Sequence, residues 1–276
     1  MIDIQNFIAS HPFAASTIRT YTYLLGILLD ETTPATLTAA ELVNFVHRPN
    51  WSNARQCVAL AAAQKYIRWA YGDTHPALSA KLKRIQGKPQ RALDEKTTLL
   101  LLASFDRYTV KGARDLAICS LALDTGLRAS ELCRLQIADL NLTLCNLQVI
   151  VKGGHWAAAV FSPQTAAHLD HWLQYRPKTR STTVFVNSMT GKTLSPEGLF
   201  NVVKYWGILL GIKLSPHDLR RTFACLSTQL MKAPERILME GGRWQNTAMI
   251  LRYTRTLKLE SMRDYLPMLS LTKKTW

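Results

Sequence analysis

Apolar residues recur at close to helical spacing through 14–29, which predicts a first long helix. Thr38-Ala39-Ala40-Glu41 has the form of a capping box, in which the first and fourth residues satisfy each other's backbone N–H groups, and it opens a helix over 42–46. Ser52 is placed as the N-cap of an Ala-rich helix that runs to Tyr71 and stops at Gly72, and a short helix is expected over 76–82. Four helices of this kind make a small bundle. The segment 81–91 then carries Lys81, Lys83, Arg84, Lys88 and Arg91, no acidic residue, and the break Gly87-Lys88-Pro89, so it reads as a basic linker.

Helical spacing resumes over 94–105 and 111–124, the latter closed by Gly126, and another helix starts near Ala129. The period then shortens. Leu147-Gln148-Val149-Ile150-Val151 and Ala157-Ala158-Ala159-Val160-Phe161 flank Gly153-Gly154, which predicts a β-hairpin, and 183–186 is expected to add a strand. Ser195-Pro196-Glu197 is a helix start with proline at the first helical position, and the chain returns to helix from there to its end. The expected fold is mainly α with a small β-sheet (α+β), in two domains: an N-terminal helical bundle over 1–86 and a second domain over 87–276.

Charge turns this architecture towards a partner. The 276 residues hold 34 Lys and Arg against 19 Asp and Glu, a formal charge of +15, enough to attract polyanions over a Debye length. Both parts are basic, with ten basic and five acidic residues up to Arg91. Nucleic acid is therefore the first partner to consider, and an acidic membrane surface the second. Met1-Ile2-Asp3-Ile4 lacks a basic leader followed by an apolar run, and no stretch reaches bilayer length, so no membrane partner and a cytoplasmic, nucleoid-associated location are expected. Five cysteines without a C-x-x-C pair suggest reduced packing residues, with neither a disulfide framework nor a zinc site.

Several polar residues interrupt the second domain where packing alone would not place them. Arg128 stands at a helix start in Thr125-Gly126-Leu127-Arg128-Ala129-Ser130-Glu131-Leu132, with Glu131 one turn on. Lys152 precedes Gly153-Gly154 at the hairpin tip. In Ser215-Pro216-His217-Asp218-Leu219-Arg220-Arg221-Thr222, His217 and Arg220 lie three apart at the positive end of a helix, a natural phosphate site. Trp244 is followed nine positions later by Tyr253, flanked by Arg252 and Arg255, a setting that favours a phenolate. Each alone is compatible with an ordinary surface feature: an ion pair, a hairpin lysine, a solvated helix face, an anchoring tyrosine. His168 and His171 share a helical face with His155 near in sequence, but no carboxylate or cysteine completes a metal set.

In this order, on one domain, Arg128, Lys152, His217-x-x-Arg220, Trp244 and Tyr253 resemble the catalytic set of the tyrosine recombinases, the phage integrase family. The likeness extends over nearly the whole chain: 125–140 looks like the family's first arginine box, 216–224 like its second, and the helical part with its basic linker like the core-binding domain. One departure stands out: many relatives have Leu-Gly-His where this chain has Gly242-Arg243-Trp244, so Trp244 is placed by its distance to Tyr253. The resemblance implies that Tyr253 attacks a DNA phosphate to give a 3′-phosphotyrosyl link, with no cofactor and no metal. It implies that Arg128 and Arg220 hold the non-bridging oxygens, Lys152 is the general acid, His217 and Trp244 assist, and Glu131 orients a neighbour. Double-stranded DNA gripped between the two domains, and a homotetramer on synapsed sites, are the implied partners; the tail after Tyr253 would dock on a neighbouring subunit or on its own domain. A type IB topoisomerase with a similar active site, and a non-catalytic DNA-binding protein of the same fold, are the alternatives.

Overall fold

The computed structural model describes residues 3–85, 91–151, 154–244 and 246–254, with the side chains of residues 249 and 252–254 outside that description. The chain divides into two compact units, Met1–Gly87 and Lys88–Trp276.

The first unit is built from α1 (Ile4–Ala9), α2 (Ala15–Glu31), α3 (Ala39–Val46) and α4 (Asn53–Tyr71), with 3₁₀ turns at Pro34–Thr36 and Pro76–Ser79. The capping box forms as expected: Thr38 Oγ1 accepts from Glu41 N, and Glu41 accepts from Thr38 N at 2.8 Å. Ser52 caps α4, and Gly72 ends it at φ 86, a conformation cheap only for glycine. Two expectations need correction. The helix over 76–82 is a single 3₁₀ turn, because Ala80 N bonds back to Ala77 O and Gln64 Nε2 takes the carbonyls of Leu78 and Ala80. The fourth α-helix is instead α1, too short for a periodic signal but fixed by Phe7, which is buried against Phe13, Tyr66 and Trp69.

In the second unit, α5 (Glu95–Ala103), α6 (Val110–Thr125) and α7 (Ala129–Arg134) precede a three-stranded antiparallel sheet. Its strands are β1 (Leu140–Asn141), β2 (Asn146–Ile150) and β3 (Trp156–Val160), in that order, with Leu147 opposite Ala159 and Val149 opposite Ala157. Then come α8 (Pro163–Tyr175), α9 (Pro196–Leu209), α10 (Pro216–Gln229), α11 (Glu235–Gly242) and α12 (Thr247–Thr254). Nearly the whole length of α6 is buried, and it packs against α8, α9 and α10, so it is the axis of this unit. The strand expected over 183–186 does not form. Trp172 Nε1 and Arg176 Nε both donate to Val184 O, and Arg176 Nη2 donates to Ser181 O and Thr183 O, so side chains occupy the carbonyls a ladder would need. Only the isolated bridges Gln136 to Thr183 and Val186 to Thr193 remain. No described helix is long and apolar enough to cross a membrane.

Candidate functional site

Four segments meet at the C-terminal end of α6. Gly126 closes that helix in the left-handed conformation at φ 58, and a Cβ there would fall 2.5 Å from the Phe223 ring, so both backbone and packing require glycine. The turn delivers Arg128 to the N-cap of α7. Its backbone N–H donates to Glu131 Oε2 at 2.8 Å and its Nη1 to Glu131 Oε1 at 2.7 Å. Glu131 is 1% exposed, whereas the Arg128 side chain keeps 36% of its surface. A buried carboxylate thus holds a guanidinium that still reaches solvent.

Helix α10 supplies the second group. Ser215 caps it, accepting from Asp218 N and donating to Asp218 Oδ2, while Asp218 Oδ1 accepts from Arg221 Nη1 at 2.7 Å. Arg220, three residues after His217, is 1% exposed. Its Nη1 donates to Gly126 O and its Nη2 to Gly242 O at 2.5 Å, and its guanidinium lies 5.0 Å from the Trp244 ring centroid. His217 itself remains on the surface, yet its pKa is held down to about 4 by partial desolvation and by the positive charges of Arg221, Arg220 and Arg128. The imidazole is therefore neutral near pH 7.

The third and fourth segments are the turn after α11 and α12 itself. Trp244 is buried with Ala224, Leu238 and Ile250 in a small separate core, which seats α12 against α10 and α11. Tyr253 lies on α12, three residues after Ile250; its side chain, like the whole of Lys152 and Arg255, lies outside the described residues. The tail after Thr254 is outside them too.

Arg128, Glu131, His217, Arg220 and Trp244 are thus brought together from positions more than a hundred residues apart. Sequence reasoning missed Arg243. The pair Gly241-Gly242 would ordinarily supply the left-handed helix stop, but α11 runs through Gly242 and Arg243 adopts φ 53 instead. Gly242 is needed elsewhere: a Cβ on it would lie 2.4 Å from the Trp244 ring. Arg243 Nη2 donates to Thr125 O at 2.9 Å, one residue before the carbonyl that Arg220 uses. No local sequence signal announces that contact.

His168 and His171 are engaged with other groups. His168 Nδ1 pairs with Ser120 Oγ at 2.8 Å and its Nε2 with Gln164, and His171 Nε2 pairs with Arg107 O. Among the described residues no group of three metal-binding side chains forms.

Residues 91–260 match the sequence model of the Phage integrase family. The tyrosine recombinase XerD of Staphylococcus haemolyticus is 28% identical over 165 residues, covering 57% of this chain and 56% of XerD. The tyrosine recombinase XerA of Pyrococcus horikoshii is 28% identical over 213 residues, covering 76% of this chain and 72% of XerA. The match thus spans little more than half the length of XerD. Among solved structures, XerH bound to a palindromic difH substrate in a post-cleavage complex superposes with a TM-score of 0.73 at 20% identity, covering 91% of this chain and 79% of XerH. A lambda integrase dimer bound to a COC′ core site superposes with a TM-score of 0.73 at 15% identity, covering 92% and 94% of the two chains. At these identities the structural likeness is one of fold.

Proposed function

Because the chain belongs to the phage integrase family, we propose that it is a site-specific DNA recombinase that cleaves and rejoins strands through a 3′-phosphotyrosyl intermediate. The observation that carries this reading is the convergence of Arg128 and Arg220, through Gly126 and Trp244, beside a neutral His217. Arg128, held by the buried Glu131 and still open to solvent, is a preorganised donor for a phosphate oxygen, and the buried Arg220, fixed to the carbonyls of Gly126 and Gly242, adds its positive charge beside it.

In the proposed step the Tyr253 oxygen forms a bond to the scissile phosphorus and the bond to the 5′ oxygen breaks. The phenol proton passes towards the neutral His217, and Lys152 supplies a proton to the departing oxygen. Arg128 and Arg220 neutralise the non-bridging oxygens, where planar forks outperform an ammonium. Glu131 fixes the Arg128 fork, and the Trp244 ring backs Arg220. Rejoining is the same step run from a 5′ hydroxyl of another strand, so phosphodiester energy is conserved without ATP.

Double-stranded DNA is the proposed partner, in keeping with the +15 charge, and a homotetramer on two synapsed sites is the proposed working assembly. The helical unit 1–86 is assigned to DNA binding and 87–276 to catalysis. The test is incubation with a pool of short nicked duplexes, followed by sequencing of DNA left covalently on the protein. Wild-type chain should form the adduct, and Tyr253→Phe should bind DNA yet form none; an adduct in the Phe variant removes Tyr253 from its role. Strand exchange between two duplexes, rather than relaxation of supercoils alone, separates a recombinase from a topoisomerase.

A further inference from the structure

Arg243 occupies a position that is costly in two ways. At φ 53 and ψ 47 its backbone is in the left-handed region, where a Cβ is strained. Its guanidinium is partly withdrawn from water, which lowers its pKa below the ordinary value, and its Nε is buried with no acceptor among the described residues. An outlier of this kind persists only where its surroundings hold it in place. What holds it is a clasp: Nη2 to Thr125 O at 2.9 Å and Nη1 to Gly241 O at 2.8 Å. The charges of Glu131 and Arg128 are close enough to act on it.

We propose that Arg243 is a positioning residue for strand cleavage, fastening the Trp244 turn to the segment that presents Arg128. The inference rests on the recombinase reading above. Adjacent carbonyls at the end of α6 each receive one guanidinium, Thr125 O from Arg243 and Gly126 O from Arg220. The two strands of chain are thereby stitched twice. Among the described hydrogen bonds the other stitch is Arg220, whose charge must also serve the phosphate. Arg243 carries the structural part of that load and leaves Arg220 positioned for chemistry.

The experiment uses the full chain and a pool of short nicked duplexes, reading single-turnover adduct formation, duplex affinity and melting temperature for Arg243→Gly and Arg243→Lys. Glycine relieves the strained left-handed backbone while Thr125 O loses its donor; these effects oppose, so Arg243→Gly should melt close to wild type and bind the pool equally well. Its adduct should form about 10- to 100-fold more slowly, the scale on which small misplacements act. Added methylguanidinium should recover part of the rate, and Arg243→Lys should fall between, since an ammonium cannot fork to both carbonyls. A wild-type rate in Arg243→Gly overturns the proposal. So does early melting with lost DNA affinity, which would make Arg243 a folding residue, and so does a deficit untouched by methylguanidinium. A wild-type chain that forms no adduct overturns the recombinase reading itself, an outcome distinct from an active wild type matched by its Gly variant.

Discussion

The two units bury different kinds of residue. In Met1–Gly87 the described interior is apolar: Leu24, Leu25, Leu28, Leu42, Val46 and Ile67 pack with Phe7 and Tyr66. Every described buried polar or charged residue lies in the other unit, among them Arg114, Asp115, Glu131, Asp218 and Arg220. A buried charge without partners is expensive, so each of these is bonded: Asp115 accepts from Arg114 at 2.8 Å and from Trp206 Nε1 at 2.8 Å, and Arg220 donates to two carbonyls. The first unit is therefore stabilised chiefly by area removed from water. The second accepts interior polarity, and it does so most densely where its site is assembled.

Arg220→Ala strikes this contrast hardest. Adduct formation should drop by about 10²- to 10³-fold, as when a transition-state donor is removed. Because Gly126 O and Gly242 O lose their donor, unfolding in urea should also show a loss of about 1–3 kcal/mol. Unchanged stability would mean that the buried guanidinium holds nothing together. Leu25→Ala in the first unit makes the opposite case: about 2–5 kcal/mol of stability should be lost, with the adduct rate per folded molecule unchanged. A rate that fell in step with stability would show that the two kinds of interior are not separable.

Glu131→Gln should act more gently than Arg220→Ala, since the Arg128 N–H keeps an oxygen acceptor while its Nη1 loses its acceptor to an amide NH2 and remains partly open to water. The expected result is a several-fold slower adduct rate with near-normal DNA affinity.

The smallest effect concerns pH. His217 is held to about 4 against an ordinary 6.5, so the folded chain binds its proton less readily than the unfolded one. Any stability from this group is complete above pH 6.5 and lost as pH falls through about 4. NMR titration of the imidazole should find a midpoint near 4 in the free protein, shifted upward when a DNA phosphate occupies the site. A midpoint that ignores DNA would place His217 away from the phosphate.

Much of the fold was legible because the signals were local. Thr38 and Glu41, Ser52 and Gly72, Gly126, and the proline starts at 196 and 216 each fix a helix end through atoms within a few residues. The hairpin pattern likewise produced β2 and β3. The segment 183–186 misled because an apolar run shows burial without showing who takes its carbonyls, and those went to Trp172 and Arg176. For the site, residue types and order pointed to Arg128, Glu131, His217, Arg220 and Trp244, but not to their inequality. His217 and Arg220 look alike as helix-face residues three apart, yet one meets solvent and the other is buried.

Helix ends, strand alternation and the charge of +15 were settled by neighbours along the chain, since caps, turns and Coulomb attraction need no knowledge of the fold. Which guanidinium is buried, which glycine yields its left-handed turn to Arg243, and which carbonyls bind α6 to the Trp244 turn were decided in three dimensions. Those contacts join residues such as 125 and 243, whose proximity exists only after α6, α10 and α11 have packed.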